Sequence, residues 1–253
     1  MTKIAFITGA TSGIGKASAI KLANTGYDLI LSGRREEQLN LLKEEIHSNY
    51  SQKVLTLVLD VRNQSDVNRI VNNLPEEWKQ IDLLLNNAGL AVGVSSLQDG
   101  ELDDWERMID TNIKGLLYVT RAISPLMIDR NQGHIINISS IAGKEVYPGG
   151  NVYCATKHAV DALTKGMRID MLEHNIKVSS IAPGMVETEF SIVRFKGNKE
   201  KADQVYKGFT PLYAEDIADA VEFIATRPKH VNINDMLIMP TAQASARDIV
   251  KKQ

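Results

Sequence analysis

The sequence predicts a doubly wound α/β fold: a seven-stranded parallel sheet with helices on both faces, three layers in all. Three observations predict it. Short runs rich in β-branched residues and leucine recur along the chain, longer stretches of helical spacing separate them, and most of the runs lack polar alternation. A strand with one wet face alternates polar and apolar residues, whereas an unbroken apolar run suits a strand covered on both sides. Regular alternation of strand and helix then implies parallel neighbours joined by crossover helices.

In chain order, IAFIT (residues 4–8) is an apolar run that halts at Gly9, and the stretch after it starts a helix over 13–25. DLILS (28–32) leads into a charged helical stretch at 36–48, and VLTLVLD (54–60) into a shorter one at 65–73. IDLLLN (81–86) precedes the longest helical pattern, 102–130, and GHIINI (133–138) precedes a second long one, 152–173. KVSSI (177–181) supplies the sixth strand, 214–226 the last helix and MLIM (236–239) the seventh strand. The polar, irregular segment 185–210 breaks this rhythm. A connection that long inside a compact domain is usually functional, so a substrate lid is expected there. Ligands of a doubly wound sheet bind beyond the carboxyl ends of the strands.

A chain of 253 residues with no internal linker suits one domain over 1–253. Hydrophobic residues at 43% and charged residues at 24% exclude a disordered or fibrous class. A net charge of −2 provides no field for gathering nucleic acid or an anionic membrane. The opening apolar run is too short for a signal-peptide core, and no later run approaches the ~20 apolar residues of a membrane span. The single cysteine, Cys154, forms no internal disulfide and fits a reducing compartment, so a cytoplasmic protein is expected. His47, His134, His158, His174 and His230 show no metal-ligand spacing, and no catalytic metal is expected.

The first strand runs directly into TGATSGIG (8–15). Gly9 permits the sharp turn off the strand, Gly13 lets backbone approach a ligand, and Gly15 lets the next helix pack closely on the sheet. The helix N-terminus, reached through Thr11, Ser12 and Ile14, aims N–H groups and a partial positive charge at a pyrophosphate. The alternative is a tight turn with no ligand. After the second strand, where an NAD site usually carries an acidic residue, stand Gly33, Arg34 and Arg35. Two guanidinium forks suit a 2′-phosphate, which favours NADP(H); the alternative is that both pair with Glu36 and Glu37. Asp60, with Val61 after it, closes the third strand as an acceptor for an adenine amino group. Asn87, Ala88 and Gly89 of NNAG close the fourth, where a glycine lets backbone lie against a ribose.

These motifs, together with NIKG (112–115), NISS (137–140), YCATK (153–157) and PG (183–184), resemble the short-chain dehydrogenase/reductase family in order and spacing over nearly the whole chain. The resemblance implies a Rossmann-type fold, a nicotinamide cofactor and a set of catalytic residues. Tyr153 would be the general acid and base, and Lys157 the cation that lowers its pKa. Ser140, thirteen positions before the tyrosine, would hold the substrate oxygen. Asn112 would hold a proton-relay water beside Lys157. Pro183, Gly184, Val186 and Thr188 match the segment that grips the nicotinamide carboxamide. The chemistry is coherent: residues i and i+4 share a helix face, and a cation ~4 Å from a phenol at an effective dielectric near 20 is worth roughly 4 kcal/mol. Opposed by desolvation and helped by the oxidised nicotinamide, that would bring a tyrosine down from about 10 toward the operating pH. The alternative is an ordinary helix-surface pair.

At a finer level, RREEQL, LDVRN, GGNVY, ETEFSIVRFKG, HVNIND and MPTAQ resemble the branch of NADP-dependent 3-hydroxy acid dehydrogenases, including those acting on serine and allo-threonine. A small carboxylate substrate wants a cation, and Arg194 and Lys196 of the lid could clamp it. A solvated basic loop, or pairing of the arginine with Glu187 or Glu189, is the simpler expectation. A 3-oxoacyl-thioester reductase and a non-catalytic NADP-binding regulator are the competing functions. The resemblance also implies a homotetramer. Ala155, Ala159, Ala162 and Gly166 would allow close helix contact between subunits, or packing on the sheet.

Overall fold

The computed structural model describes residues 2–252. Seven parallel strands form one sheet: β1 (Ile4–Thr8), β2 (Asp28–Gly33), β3 (Val54–Val58), β4 (Ile81–Asn86), β5 (Gly133–Ile138), β6 (Ile176–Pro183) and β7 (Asp235–Ile238). Their spatial order is β3-β2-β1-β4-β5-β6-β7. The chain therefore winds outward from β1 in one direction as far as β3, then returns to start the other half at β4. The switch between β1 and β4 opens a crevice at their carboxyl ends, as a doubly wound sheet requires.

The unbroken apolar runs have a direct cause. Along β1, Ala5 and Ile7 enter one core with Leu22, Leu39, Ile46, Ile217 and Val221, while Ile4 and Phe6 enter another with Val67, Val119, Ile123 and Val160. Helices α1 (Gly13–Asn24), α2 (Glu36–Asn49) and α9 (Ala214–Ala225) cover the first face. Helices α3 (Gln64–Asn72), α5 (Leu116–Asp129) and α6 (Asn151–Asp170) cover the second. Phe6, Leu29, Ile30, Leu31, Leu83, Leu84 and Leu85 are fully buried, each worth about 1.5–3 kcal/mol of transfer free energy. β7 differs: as an edge strand it leaves Leu237 half exposed. A third, smaller cluster of Leu90, Val92, Met108, Tyr153 and Cys154 lies beyond the strand ends and forms the bed of the candidate site.

The longest expected helix, 102–130, is not continuous. It is split into α4 (Leu102–Ile109), a π-helical turn (Asp110–Gly115) and α5. Widened turns of this type recur at functional sites. The helix expected over 152–173 ends as α6 at Asp170, followed by a 3-10 turn (Leu172–His174). The third strand stops at Val58, so Asp60 lies in the loop beyond β3 rather than at its last residue. The irregular segment 185–210 holds two short helices, α7 (Phe190–Arg194) and α8 (Lys199–Val205).

Candidate active site

The glycine stretch folds as a cradle. Gly9 and Gly13 take positive φ, 66° and 51°, values that a side chain rarely adopts. At Gly15 a Cβ would press on the Gly9 carbonyl and come within 2.5 Å of Asn87 Nδ2. Gly15 thus sits beneath the cleft, whereas Gly9, Thr11, Ser12, Gly13 and Ile14 line it. Ser12, the N-cap of α1, makes no side-chain cap, so the first-turn N–H groups remain available to an anion. The ends of β1 and β4 are tied together. Asn87 Nδ2 donates to the Thr8 and Gly9 carbonyls at 2.9 and 3.1 Å, and the N–H groups of Asn87 and Ala88 each donate to Thr8 Oγ1 at 3.0 Å.

Arg34, Arg35, Asp60, Val61, Ala88 and Gly89 wall the same cleft. Arg35 pairs with neither Glu36 nor Glu37. Its guanidinium donates to Thr11 and lies 3.1 Å from Glu189, a residue 154 positions later. Asp60 already has a partner in the resting protein. Arg62 grips both of its oxygens, with Nη2 to Oδ2 at 2.6 Å, and holds its carboxyl below the ordinary range.

The cleft continues past Ile14, Asn87, Gly89, Thr188 and Phe190 into a second chamber lined by Ser140, Tyr153, Lys157, Pro183, Gly184, Val186 and Arg194. Ser140 ends the turn after β5. Its hydroxyl accepts from the Ala142 N–H at 3.1 Å, donates to the Pro183 carbonyl at 3.5 Å and stands near enough to the Tyr153 hydroxyl to lower its pKa. The neighbouring Ser139 also borders the chamber, but its hydroxyl is buried and makes no bond to the phenol. α6 carries Tyr153 and Lys157 on one face, with the lysine Nζ 6.0 Å from the centre of the tyrosine ring. Lys157 Nζ donates to the Ile138 carbonyl at 2.9 Å. Asn112 lies in the π turn and clasps Leu90: its Oδ1 accepts from Leu90 N at 2.8 Å, and its Nδ2 donates to the Leu90 carbonyl at 2.8 Å and to Thr156 Oγ1 at 3.0 Å. A Cβ on Gly89 would stand 3.3 Å from Asn112 Oδ1 and 3.5 Å from Lys157 Nζ, so a side chain here would crowd the amide and touch the lysine.

The electrostatics depart from the expectation. Burial pushes the Tyr153 hydroxyl well above its ordinary value, outweighing the lowering effects of Ser140 and the Arg194 charge. Lys157 is not among the groups that lower the phenol in the protein without its dinucleotide. Instead burial lowers the lysine itself to about 8. Both shifts share one cause: desolvation penalises the charged form of each group.

Arg194 is also not a solvated loop cation, and neither Glu187 nor Glu189 holds it. Its guanidinium lies 5.3 Å from the Tyr147 ring centre and 6.0 Å from that of Tyr153, and its Nε is buried without a partner. Lys196 is turned away, paired with Asp104 at 2.9 Å. Several lining residues escaped the sequence reading as site residues: Tyr147, Phe190, Tyr206 and Gln243. Phe190 tilts against Tyr153 with ring centres 5.7 Å apart. Gln243 Oε1 accepts from Met185 N at 2.9 Å and would meet a Cβ on Gly184, so the MPTAQ stretch underpins the floor beside Pro183. Among the described residues no group of three or more His, Cys, Asp or Glu side chains could hold a metal ion, and no helix is long and apolar enough to cross a membrane.

A glycine cradle joined by one cleft to a serine, a tyrosine and a lysine decides the comparison with known proteins. The model of the short chain dehydrogenase family matches residues 3–199. The chain belongs to that family. It is 48% identical over 244 residues to the NADP-dependent 3-hydroxy acid dehydrogenase YdfG of Salmonella typhi, covering 96% of this chain and 97% of that one. It is 46% identical over 245 residues to sulfoacetaldehyde reductase 2 of Chromohalobacter salexigens, covering 96% of each. A solved structure, the closed form of serine dehydrogenase complexed with NADP+, superposes with a TM-score of 0.93 at 44% identity, covering 99% of this chain and all of the other.

Proposed function

We propose that this chain is an NADP(H)-dependent oxidoreductase acting on the 3-hydroxyl or 3-oxo group of a small hydroxy acid or similar carbonyl compound. The observation that carries the reading is the single cleft that runs from Arg34 and Arg35, over the cradle, to Tyr153, Lys157 and Ser140. Relatives named for NADP and for 3-hydroxy acids support it. The residues present fit the cofactor: uncapped N–H groups at α1 for the pyrophosphate, guanidinium groups for the 2′-phosphate, and Pro183, Gly184, Val186 and Thr188 beside the nicotinamide. When bound, NADP(H) supplies or accepts the hydride.

The chain's own groups handle the proton. Ser140 holds the substrate oxygen within reach of Tyr153 and stabilises charge developing there. Tyr153 takes the hydroxyl proton during oxidation and returns it during reduction. Lys157 favours the phenolate by its charge. Both amide hydrogens of Asn112 are engaged by Leu90 and Thr156, so the backbone of the π turn is left to hold a relay water beside Lys157. Arg194 lines the chamber beside Tyr147 and Tyr153 and would bind the substrate carboxylate. The protein would act as one domain with 185–210 as its lid, in the cytoplasm. It would do so as a homotetramer, with Ala155, Ala162 and the open flank of Gly166 on the outer face of α6 rather than against the sheet.

A nicotinamide absorbance assay with NADPH and NADH tests this against 3-hydroxypropionate, L-serine, L-allo-threonine and a 3-oxoacyl thioester. Activity on the free acids and their 3-oxo forms is expected, with Tyr153→Phe inactive yet still binding NADPH. Near-normal turnover by Tyr153→Phe would end the mechanism, and turnover of the thioester alone would replace the substrate class. Light scattering decides the assembly.

A further inference from the structure

The two adjacent arginines at the exit of β2 have different surroundings. Arg35 is engaged on every edge. Nε donates to Thr11 Oγ1 at 3.3 Å, Nη2 to the Thr11 hydroxyl and carbonyl at 3.1 Å each, and Nη1 reaches Glu189 Oε2 at 3.1 Å. Arg34, among the described residues, has no carboxylate within ion-pair distance. It faces the cleft near Asp60, whose carboxyl is held low first by Arg62 and more weakly by the field of Arg34.

Glu189 is the N-cap of α7, and the residue before it packs on the cradle: a Cβ on Gly13 would stand 3.2 Å from Thr188 Cγ2. At the other end of α7, Gly93 N donates to the Arg194 carbonyl at 3.0 Å, and Lys196 pairs with Asp104. The helix is thus tethered at both ends to separate parts of the core. Between the tethers Phe190 and Val193 wall the cleft, and Arg194 reaches the two tyrosines.

We propose that the arginines divide the work: Arg34 reads the 2′-phosphate, while Arg35 and Glu189 form a strap that holds α7 over the bound dinucleotide. Glu189 is then a positioning residue. The inference rests on the reading of the cleft as an NADP(H) site. The Arg35 and Glu189 side chains are 47% and 56% exposed, so their bond is a modest one that salt should weaken. Modest strength suits a strap that must open in every catalytic cycle for exchange of the dinucleotide.

The test follows nicotinamide fluorescence, independent of turnover, with NADPH and NADH as probes. Equilibrium titration should show that Arg34→Ala weakens NADPH about tenfold or more and leaves NADH unchanged, because a charged bidentate contact is lost. Stopped-flow displacement should show that Arg35→Ala and Glu189→Gln each speed release of both dinucleotides by the same factor, about twofold to fivefold, with the NADPH-to-NADH preference kept. The double variant should be no faster than either single one. Added salt should quicken NADH release from the wild type but not from Glu189→Gln. Collapse of the NADPH preference in Arg35→Ala would overturn the division of labour, and unchanged release from Glu189→Gln would overturn the strap. Wild type that binds neither dinucleotide would instead refute the underlying reading of the cleft.

Discussion

Replacing Lys157 by methionine should make the protein inactive and, at neutral pH, more stable. Lys157 is buried, and burial alone lowers its pKa from 10.5 to about 8. At about 1.4 kcal/mol for each factor of ten, holding the ammonium in place costs the fold about 3 kcal/mol at pH 7. Methionine fills a similar volume without the charge, but leaves the Ile138 carbonyl without the donor now 2.9 Å away. That loss offsets about half, for a net gain near 1–2 kcal/mol. In a chain of this length it corresponds to a rise of about 2–8 °C in melting temperature. The sign with pH follows from the depressed value. Between about 8 and 10.5 the unfolded chain binds more protons than the folded one, so wild-type stability rises through that window. The advantage of the variant should therefore be fullest below pH 8 and shrink toward pH 10.5. Calorimetric scans of both proteins at pH 7 and pH 10 check this. A variant less stable than wild type at pH 7, or a difference unchanged between the two pH values, would refute the reasoning.

Three further predictions rest on geometry. Gly15→Ala should abolish NADPH binding in a fluorescence titration, because the new methyl group presses on the Gly9 carbonyl and Asn87 Nδ2 at the core of the cradle; binding within twofold of wild type contradicts it. Asn112→Ala removes three hydrogen bonds and leaves both backbone groups of the buried Leu90 unmatched, which should cost about 2–4 kcal/mol by urea unfolding, and a loss below about 0.5 kcal/mol argues against the clasp. Arg194→Ala should raise KM for a hydroxy acid about tenfold or more. By removing a charge that lowers Tyr153, it should also move the rising limb of the oxidation profile to higher pH, whereas Arg194→Lys should keep the limb in place.

What the sequence made legible is whatever one element, or two neighbouring ones, determines. β1, β4 and β5 are bounded by residues that stop an apolar run (Gly9, Asn87 and Ser139 on the far sides), and their limits were readable to the residue. The cradle and the Tyr153–Lys157 face were readable for the same reason, since the spacing along one turn or one helix fixes them. The π turn was not. It changes a hydrogen-bond register without changing composition, and its one trace is Gly115, where a Cβ would press on Val61 of another segment. The partners of Arg35 and Arg194 were equally hidden. Glu189 lies 154 positions from Arg35, and Tyr147 lies 47 positions before Arg194, so only the folded chain brings them together. Helices of five and seven residues, such as α7 and α8, are too short to show a period.

The tyrosine and lysine owe their usefulness to a penalty that falls on each separately. Burial makes a lone phenolate costly and a lone ammonium costly, which is why Tyr153 is raised and Lys157 lowered. When both are charged, part of the penalty returns as attraction. The Lys157 ammonium, 6.0 Å from the ring centre, is near enough to supply part of that attraction. Arg194, whose guanidinium lies at the same distance from the ring centre, lowers the phenol as well. The proton on Tyr153 is therefore held by a coupled set of groups rather than by one neighbour, and its release is easiest while Lys157 is still charged, below about pH 8. In the proposed mechanism the ammonium that weakens the resting fold would also stabilise the phenolate, so methionine at position 157 should remove the cost and the catalysis together.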